Sequence, residues 1–394
     1  TIERAEWKPS RAKVKVAHLG EVTSLTSCFR HAAVVRLQNA TPMVDEDSAG
    51  DDLCSSINLA PALKRLLREE DEADIVRRLS RACTTSGFFR ITVCEESPSR
   101  EGLERVLSAL SRGPVPLDRN GRVTSAGTER VVGYDDCRRW FAQPLEAKAR
   151  YPLCNGKGYQ YVGQNVTEGK PDAHEALDFY RPFEKSEPGT LKGPHPDIGD
   201  DELLQKVDDT ARAFLRLGKI IMRFVAMGLG LADDAFEDDI AGCSFWILRL
   251  ISSPPMNSDD EGEYKVSCGA HTDYGLLSFL DASCGGLQIE DLNGQWVDVP
   301  HVPGTIVCNI GQMLQLCSGN RYRATKHRVI RHREETPKDR ISIAFFYEPN
   351  YDAVIKPMLE SIDLVMAGVE LLTGISLPLV KFLQKQFHAC QHFH

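Results

Sequence analysis

The chain has 394 residues, 42% hydrophobic and 26% charged, an ordinary globular composition with length enough for a sizeable core. A net charge of −9 without a long basic block disfavours a nucleic-acid or anionic-membrane surface. Twelve cysteines without a CxxC pair fit a reducing compartment better than a disulfide framework or a zinc knuckle, and no apolar run of about 18 residues suggests a membrane span.

The chain starts at Thr1, and its first 40 residues are mildly basic, with hydroxyl groups at SLTSC (24–28). This stretch reads as an irregular arm, with an organelle presequence as the alternative to a cytoplasmic location. AAVVRL (32–37) is a candidate strand, and the acidic runs DEDSAGDD (45–52) and NSDDEGE (257–263) read as solvated loops. The spacing predicts a helix over 71–87, with Ile75, Leu79 and Ala82 on one face and Gly87 as its C-terminal cap. FFRITV (88–93) follows as a strand. A second amphipathic helix covers 100–112, and a helix broken at Pro144 covers 134–151. GYQYVGQ (158–164) and ALDFYRPF (176–183) read as strands. The longest helix, 200–230, begins with acids and ends in glycines.

From 243 the pattern changes to eight short β-type runs separated by Gly, Pro and Asn turns, as expected for a sandwich or jelly roll. The organisation expected is an N-terminal extension (1–70), a helical and mixed region packing on the core (71–240), a β core (241–357) and a helical tail (358–394). Residues 32–357 together are expected to form one structural domain. The tail ends in HACQHFH (388–394), read as a frayed terminus rather than a metal site.

GAHTDYGLLSFL (269–280) carries His271 and Asp273 two residues apart in an apolar context. Alternation would aim both side chains to one face, and alone the pair reads as a histidine satisfied by its neighbour. His327, in the later run KHRVI, changes that balance. Two histidines and a carboxylate form the facial triad of mononuclear Fe(II) oxygenases. Cys268 lies an odd number of residues from His271 and is expected on the opposite face. Arg340 and Ser342 share one face of RISIAFF, where a guanidinium fork and a hydroxyl suit a carboxylate.

HTD (271–273), His327 and RIS (340–342) resemble the iron(II)- and 2-oxoglutarate-dependent dioxygenase superfamily, in its isopenicillin-N-synthase-like branch. The resemblance extends over roughly 74–357, through CTTSGFFRITV (83–93), RRWFAQPLEAKARY (138–151) and the run 286–330 to FFYEPNYDAVIKP (345–357). It implies a mainly β protein with flanking helices and a double-stranded β-helix (jelly-roll) core. His271, Asp273 and His327 would bind Fe(II). Arg340 and Ser342 would anchor 2-oxoglutarate as co-substrate with O2, ascorbate would serve as reductant, and Asn309 would sit close to the metal. The expected reaction hydroxylates, desaturates or cyclises a small molecule with release of succinate and CO2, in a monomer without a nucleic-acid partner.

Two departures stand out. Ser253 occupies the place of a tyrosine that helps grip the co-substrate, and Gln312 replaces an acid in NIGQ. The alternatives are a 2-oxoglutarate-independent iron oxidase of the same fold, a metal-dependent hydrolase, and a ligand-binding jelly roll. For the substrate, His174, Phe179, Tyr180 and Arg181 are candidates, each weighed against ordinary packing.

Overall fold

The computed structural model describes residues 54–59, 69–92, 99–112, 131–187, 190–256, 264–332, 339–359 and 377–378. The candidate strand at 32–37, the two acidic loops and the His-rich terminus lie outside these residues, as does most of 358–394.

Two sheets make the core. The larger has eight strands in the order β1 (Ser55–Asn58), β2 (Phe88–Thr92), β12 (Ile306–Ile310), β9 (Leu277–Ala282), β14 (Arg340–Tyr347), β7 (Ile247–Ser253), β6 (Glu175–Tyr180) and β3 (Gly158–Gln160). The smaller has four, β11 (Trp296–Asp298), β10 (Leu287–Glu290), β13 (His327–His332) and β8 (Tyr264–His271). The eight runs expected after residue 243 are strands β7 to β14, divided equally between the sheets. Every pairing within the two sheets is antiparallel except β1 with β2. This is the expected jelly roll. Two minor pairs, β4 (Val166–Thr167) with β5 (Lys170–Pro171) and β15 (Val354–Ile355) with β16 (Leu377–Pro378), lie outside it. The large sheet takes β1, β2, β3 and β6 from before residue 240, so the β core extends into the region read as helical and mixed. The strand β1 falls in a segment read from sequence as irregular: its four residues, SSIN, are too few to show an alternation.

Six helices are described: α1 (Glu69–Thr85), α2 (Arg100–Arg112), α3 (Tyr134–Phe141), α4 (Leu145–Lys148), α5 (Asp201–Gly228) and α6 (Gln312–Cys317). Gly87 closes α1 at φ +68°, and a Cβ there would fall 1.9 Å from the Arg323 carbonyl oxygen, so both backbone conformation and space require glycine. Asp200 caps α5 by accepting the Leu203 amide at 2.9 Å, with Asp201 and Glu202 in the first turn, where the helix dipole favours acids. No helix among the described residues is long and apolar enough to cross a membrane.

The sheet alternation decides what faces inward. On β14, Phe345 stacks on Phe214 of α5 at 5.2 Å between centroids, and Phe214 also meets Phe279 of β9 at 5.6 Å. The odd-numbered side chains of β14 and β9 therefore pack under the helix, and the even-numbered ones face the smaller sheet. α1 and α2 pack on α5 and cover the same layer. A second, smaller apolar cluster of Cys54, Phe88, Leu287, Ile289 and Val299 fills one end of the space between the sheets.

Phe214 is fully buried at the centre of this outer layer. Phe214→Ala is expected to cost about 3–5 kcal/mol of stability, read as a lower urea midpoint. A midpoint shift worth well under 1 kcal/mol would show that the helix layer does not depend on that contact.

Candidate active site

The smaller sheet brings His271 and His327 together by register: the last residue of β8 pairs with the first of β13. Their rings lie 4.3 Å apart between centroids. Asp273 is not on the strand, as alternation would have it, but in the turn after β8, where the Gln312 amide binds its carbonyl oxygen at 2.8 Å. Its Oδ1 lies 3.4 Å from His271 Nε2 and 3.6 Å from His327 Nε2. The ligating atoms of the three residues all fall within 4.8 Å of one another.

The hydrogen bonds orient all three side chains. Nδ1 of His271 is 2.9 Å from the Gly269 carbonyl oxygen, and Nδ1 of His327 is 3.1 Å from that of Thr325. A carbonyl only accepts, so Nδ1 of each ring carries a proton and Nε2 is the atom turned toward Asp273, where a metal ion would take the place of any second proton. Asp273 Oδ2 accepts from Ser278 Oγ at 2.6 Å and from Asn309 Nδ2 at 2.7 Å, which turns Oδ1 toward the imidazoles. His327 is steadied by the edge of Phe88, 5.3 Å away. Two imidazole nitrogens and one carboxylate oxygen, pre-oriented and without a thiolate among them, fit Fe(II).

The electrostatics suit a cation. Burial would raise the Asp273 carboxyl, but His327, His271 and Asn309 outweigh it and hold the group well below the usual carboxylate range. Burial and the neighbouring His271 push His327 down to about 4, so it is neutral and free to ligate. Burial also works against charge on His271, but Cys268 and Asp273 prevail and raise it well above its ordinary value.

Cys268 corrects the sequence reading. Its Sγ lies 3.8 Å from His271 Nδ1, on the same side rather than the opposite face. The register explains it: His327 pairs with His271 and Val329 with Cys268, so Gly269 and Ala270 of β8 oppose Arg328 of β13 alone. The extra residue makes a β-bulge, which shifts the alternation by one.

Arg340 and Ser342 lie on the inner face of β14, and both are buried. Arg340 Nε donates to the Gly285 carbonyl oxygen at 2.8 Å and Nη1 to Ser342 Oγ. Burial pushes the guanidinium down to about 10, with the charge of Arg331 contributing. A second buried arginine beside the first makes this end of the barrel positive, and sequence reasoning missed Arg331. Ser253 pairs directly with Arg340 across the strands, and its hydroxyl takes a hydrogen bond from Ser267. A pair of serines thus stands where a tyrosine was expected. Gln312 opens α6 and donates to Thr272 Oγ1 at 2.5 Å, which ties the HTD turn to that helix.

The four substrate candidates separate. Phe179 packs in the core near His195, and Arg181 donates to the Cys243 carbonyl oxygen at 2.6 Å outside the barrel. His174 is buried with Nδ1 2.5 Å from the Ser267 carbonyl oxygen. Tyr180 alone pairs in phase with an inner-face position, Ile247 opposite Phe346. Ser278 went unnoticed in the sequence. The signal was present: a lone hydroxyl on the even-numbered face of an apolar strand.

Comparison with known proteins agrees with this geometry. Residues 246–349 match the model of the 2OG-Fe(II) oxygenase superfamily. Homoarginine-6-hydroxylase 2-ODD-233 of Oryza sativa subsp. japonica is 35% identical over 310 residues, 74% of this chain and 83% of the relative. Homoarginine-6-hydroxylase 2-ODD-C23 of Glycine max is 33% identical over 323 residues, 77% and 87% of the two chains. The fold is similar to that of a full-length Neurospora crassa protein solved in complex with alpha-KG, at a TM-score of 0.65 and 23% identity over 87% of this chain and 98% of that one. The chain therefore belongs to the 2OG-Fe(II) oxygenase superfamily and is an Fe(II)- and 2-oxoglutarate-dependent dioxygenase, oxidising a small organic substrate with release of succinate and CO2.

Proposed function

We propose that His271, Asp273 and His327 hold the Fe(II) ion, that Arg340 with Ser342 anchors the far carboxylate of 2-oxoglutarate, and that the substrate is a basic amino acid of homoarginine's kind. The observation that carries the metal assignment is the distribution of hydrogen bonds. Both Nδ1 atoms and Asp273 Oδ2 are occupied, leaving Nε2, Nε2 and Oδ1 turned toward one another. When bound, iron activates O2 and couples decarboxylation of the keto acid to oxidation of a substrate C–H bond.

The chain's own residues do the positioning. Asn309 and Ser278 keep Asp273 from rotating, and the Gly269 and Thr325 carbonyls fix both imidazole tautomers. Arg340 is held at Nε and Nη1, so its remaining nitrogen and the Ser342 hydroxyl proton are available to an incoming carboxylate. The substrate class is supported by the two homoarginine hydroxylases, each matched over more than four-fifths of its length. The net charge of −9 favours a cationic small molecule over nucleic acid.

Three measurements test this reading. Anaerobic titration with Fe(II) and then 2-oxoglutarate should give a visible charge-transfer band that is lost in His327→Ala. In Arg340→Ala the keto acid should bind more than about 100-fold more weakly, since its carboxylate would lose a buried charge partner; an unchanged titration would place the far carboxylate elsewhere. Asn309→Ala and Ser278→Ala should each weaken Fe(II) binding by about 10- to 100-fold while leaving the fold intact, and wild-type Fe(II) affinity in both would remove them from the support of Asp273. Homoarginine should raise succinate formation above the uncoupled rate, and no stimulation by any basic amino acid would refute the substrate class.

A further inference from the structure

The inner face of β14 continues one step past the strand. Arg340, Ser342, Ala344 and Phe346 alternate toward the barrel interior, and Glu348 is next in phase. Glu348 is 3% exposed. Its carboxyl group rests against Gly275, where an added Cβ would fall 2.5 Å from Oε1 and 2.6 Å from Oε2. Gly275 lies two residues after Asp273, so the carboxyl is at the edge of the metal site.

The other buried acids have donors. Asp178 has Arg249 at 2.8 Å and Gln160 at 2.6 Å, Asp136 has Lys206 at 2.9 Å, Asp172 has Thr167 at 2.8 Å, and Asp209 and Asp281 each have an arginine. Glu348 Oε2 is buried with no hydrogen-bond partner. A carboxylate in that state is costly, and the cost is removed when a cation docks against it. Burial, with Asp273 adding repulsion, pushes the group up to about 8 in the unliganded protein. Tyr180 is near enough to interact electrostatically with Glu348 and pairs across from Ile247, itself opposite Phe346.

We propose that Glu348 anchors the cationic nitrogen group of the primary substrate, and that residue 275 is glycine because the carboxylate occupies the space a side chain would take. β14 then carries an anion-binding end at Arg340 and a cation-binding end at Glu348. The inference rests on the basic-amino-acid reading above and adds the residue that would impose it.

The test is calorimetry on the anaerobic holoenzyme with Fe(II) and 2-oxoglutarate, using homoarginine and homocitrulline, its neutral urea analogue. Wild type should prefer homoarginine. Glu348→Gln, nearly isosteric, should lower homoarginine affinity by about 10- to 100-fold, as for loss of a charge-assisted bond, while homocitrulline affinity changes by less than about threefold. Glu348→Asp should retain the preference for the cation in weakened form, and thermal melting verifies that both variants fold. An unchanged preference in Glu348→Gln overturns the anchor and leaves the substrate reading standing. Should wild type bind neither homoarginine nor any other basic amino acid, that reading fails, and agmatine and its neutral analogue decide the anchor. A cation that loses affinity in Glu348→Gln supports it; binding of neutral compounds alone overturns it.

Discussion

The cross-strand pairing of His271 with His327 is the constraint on which the site depends. It joins the end of one strand to the start of another, so two imidazoles meet without either strand leaving the sheet. The β-bulge just before His271 adjusts the phase so that this pairing occurs. The carboxylate then comes from the following turn, which the Gln312 amide holds from the first residue of α6. A one-residue slip of β8 against β13 would separate the histidines and turn the apolar side chains of both strands to the wrong face.

The rigidity behind this pairing comes from the other side of the large sheet. Phe279 and Phe345 pack under Phe214 of α5, while Ser278 and Ser342, close to them in sequence, point inward to Asp273 and Arg340. Alternation therefore couples stability to function residue by residue: the same strand buries its odd positions for packing and spends its even ones on the site. Glu348 extends that pattern, which is how a residue beyond the strand comes to lie near the end of the barrel where His271, Asp273 and His327 meet.

Much of this is legible in the sequence because it depends on period and order. The eight strands after residue 243, the outward Ile341, Ile343 and Phe345, and the inward Arg340 and Ser342 all follow from alternation within one strand. Resemblance singles out Asn309, and its side-chain amide donates to Asp273. What alternation does not encode escapes such a reading. Cys268 falls on the wrong face when counted from spacing, because a bulge leaves no mark in the count. Ser278, Ser267 and Arg331 act through side-chain contacts with a turn or a neighbouring strand, which alternation along one strand does not show. Glu348 is readable by continuing the even positions from Arg340, but its lack of a partner appears only once its neighbours are placed in space.

Whether these three donors hold the iron while Arg340 holds the co-substrate is decided by a crystal structure obtained anaerobically with Fe(II) and 2-oxoglutarate. One anomalous iron peak is expected, bonded to His271 Nε2, Asp273 Oδ1 and His327 Nε2, with the far carboxylate of the keto acid on Arg340 and Ser342. An iron bound through Cys268, a peak away from the paired histidines, or a co-substrate carboxylate remote from Arg340 would contradict that assignment.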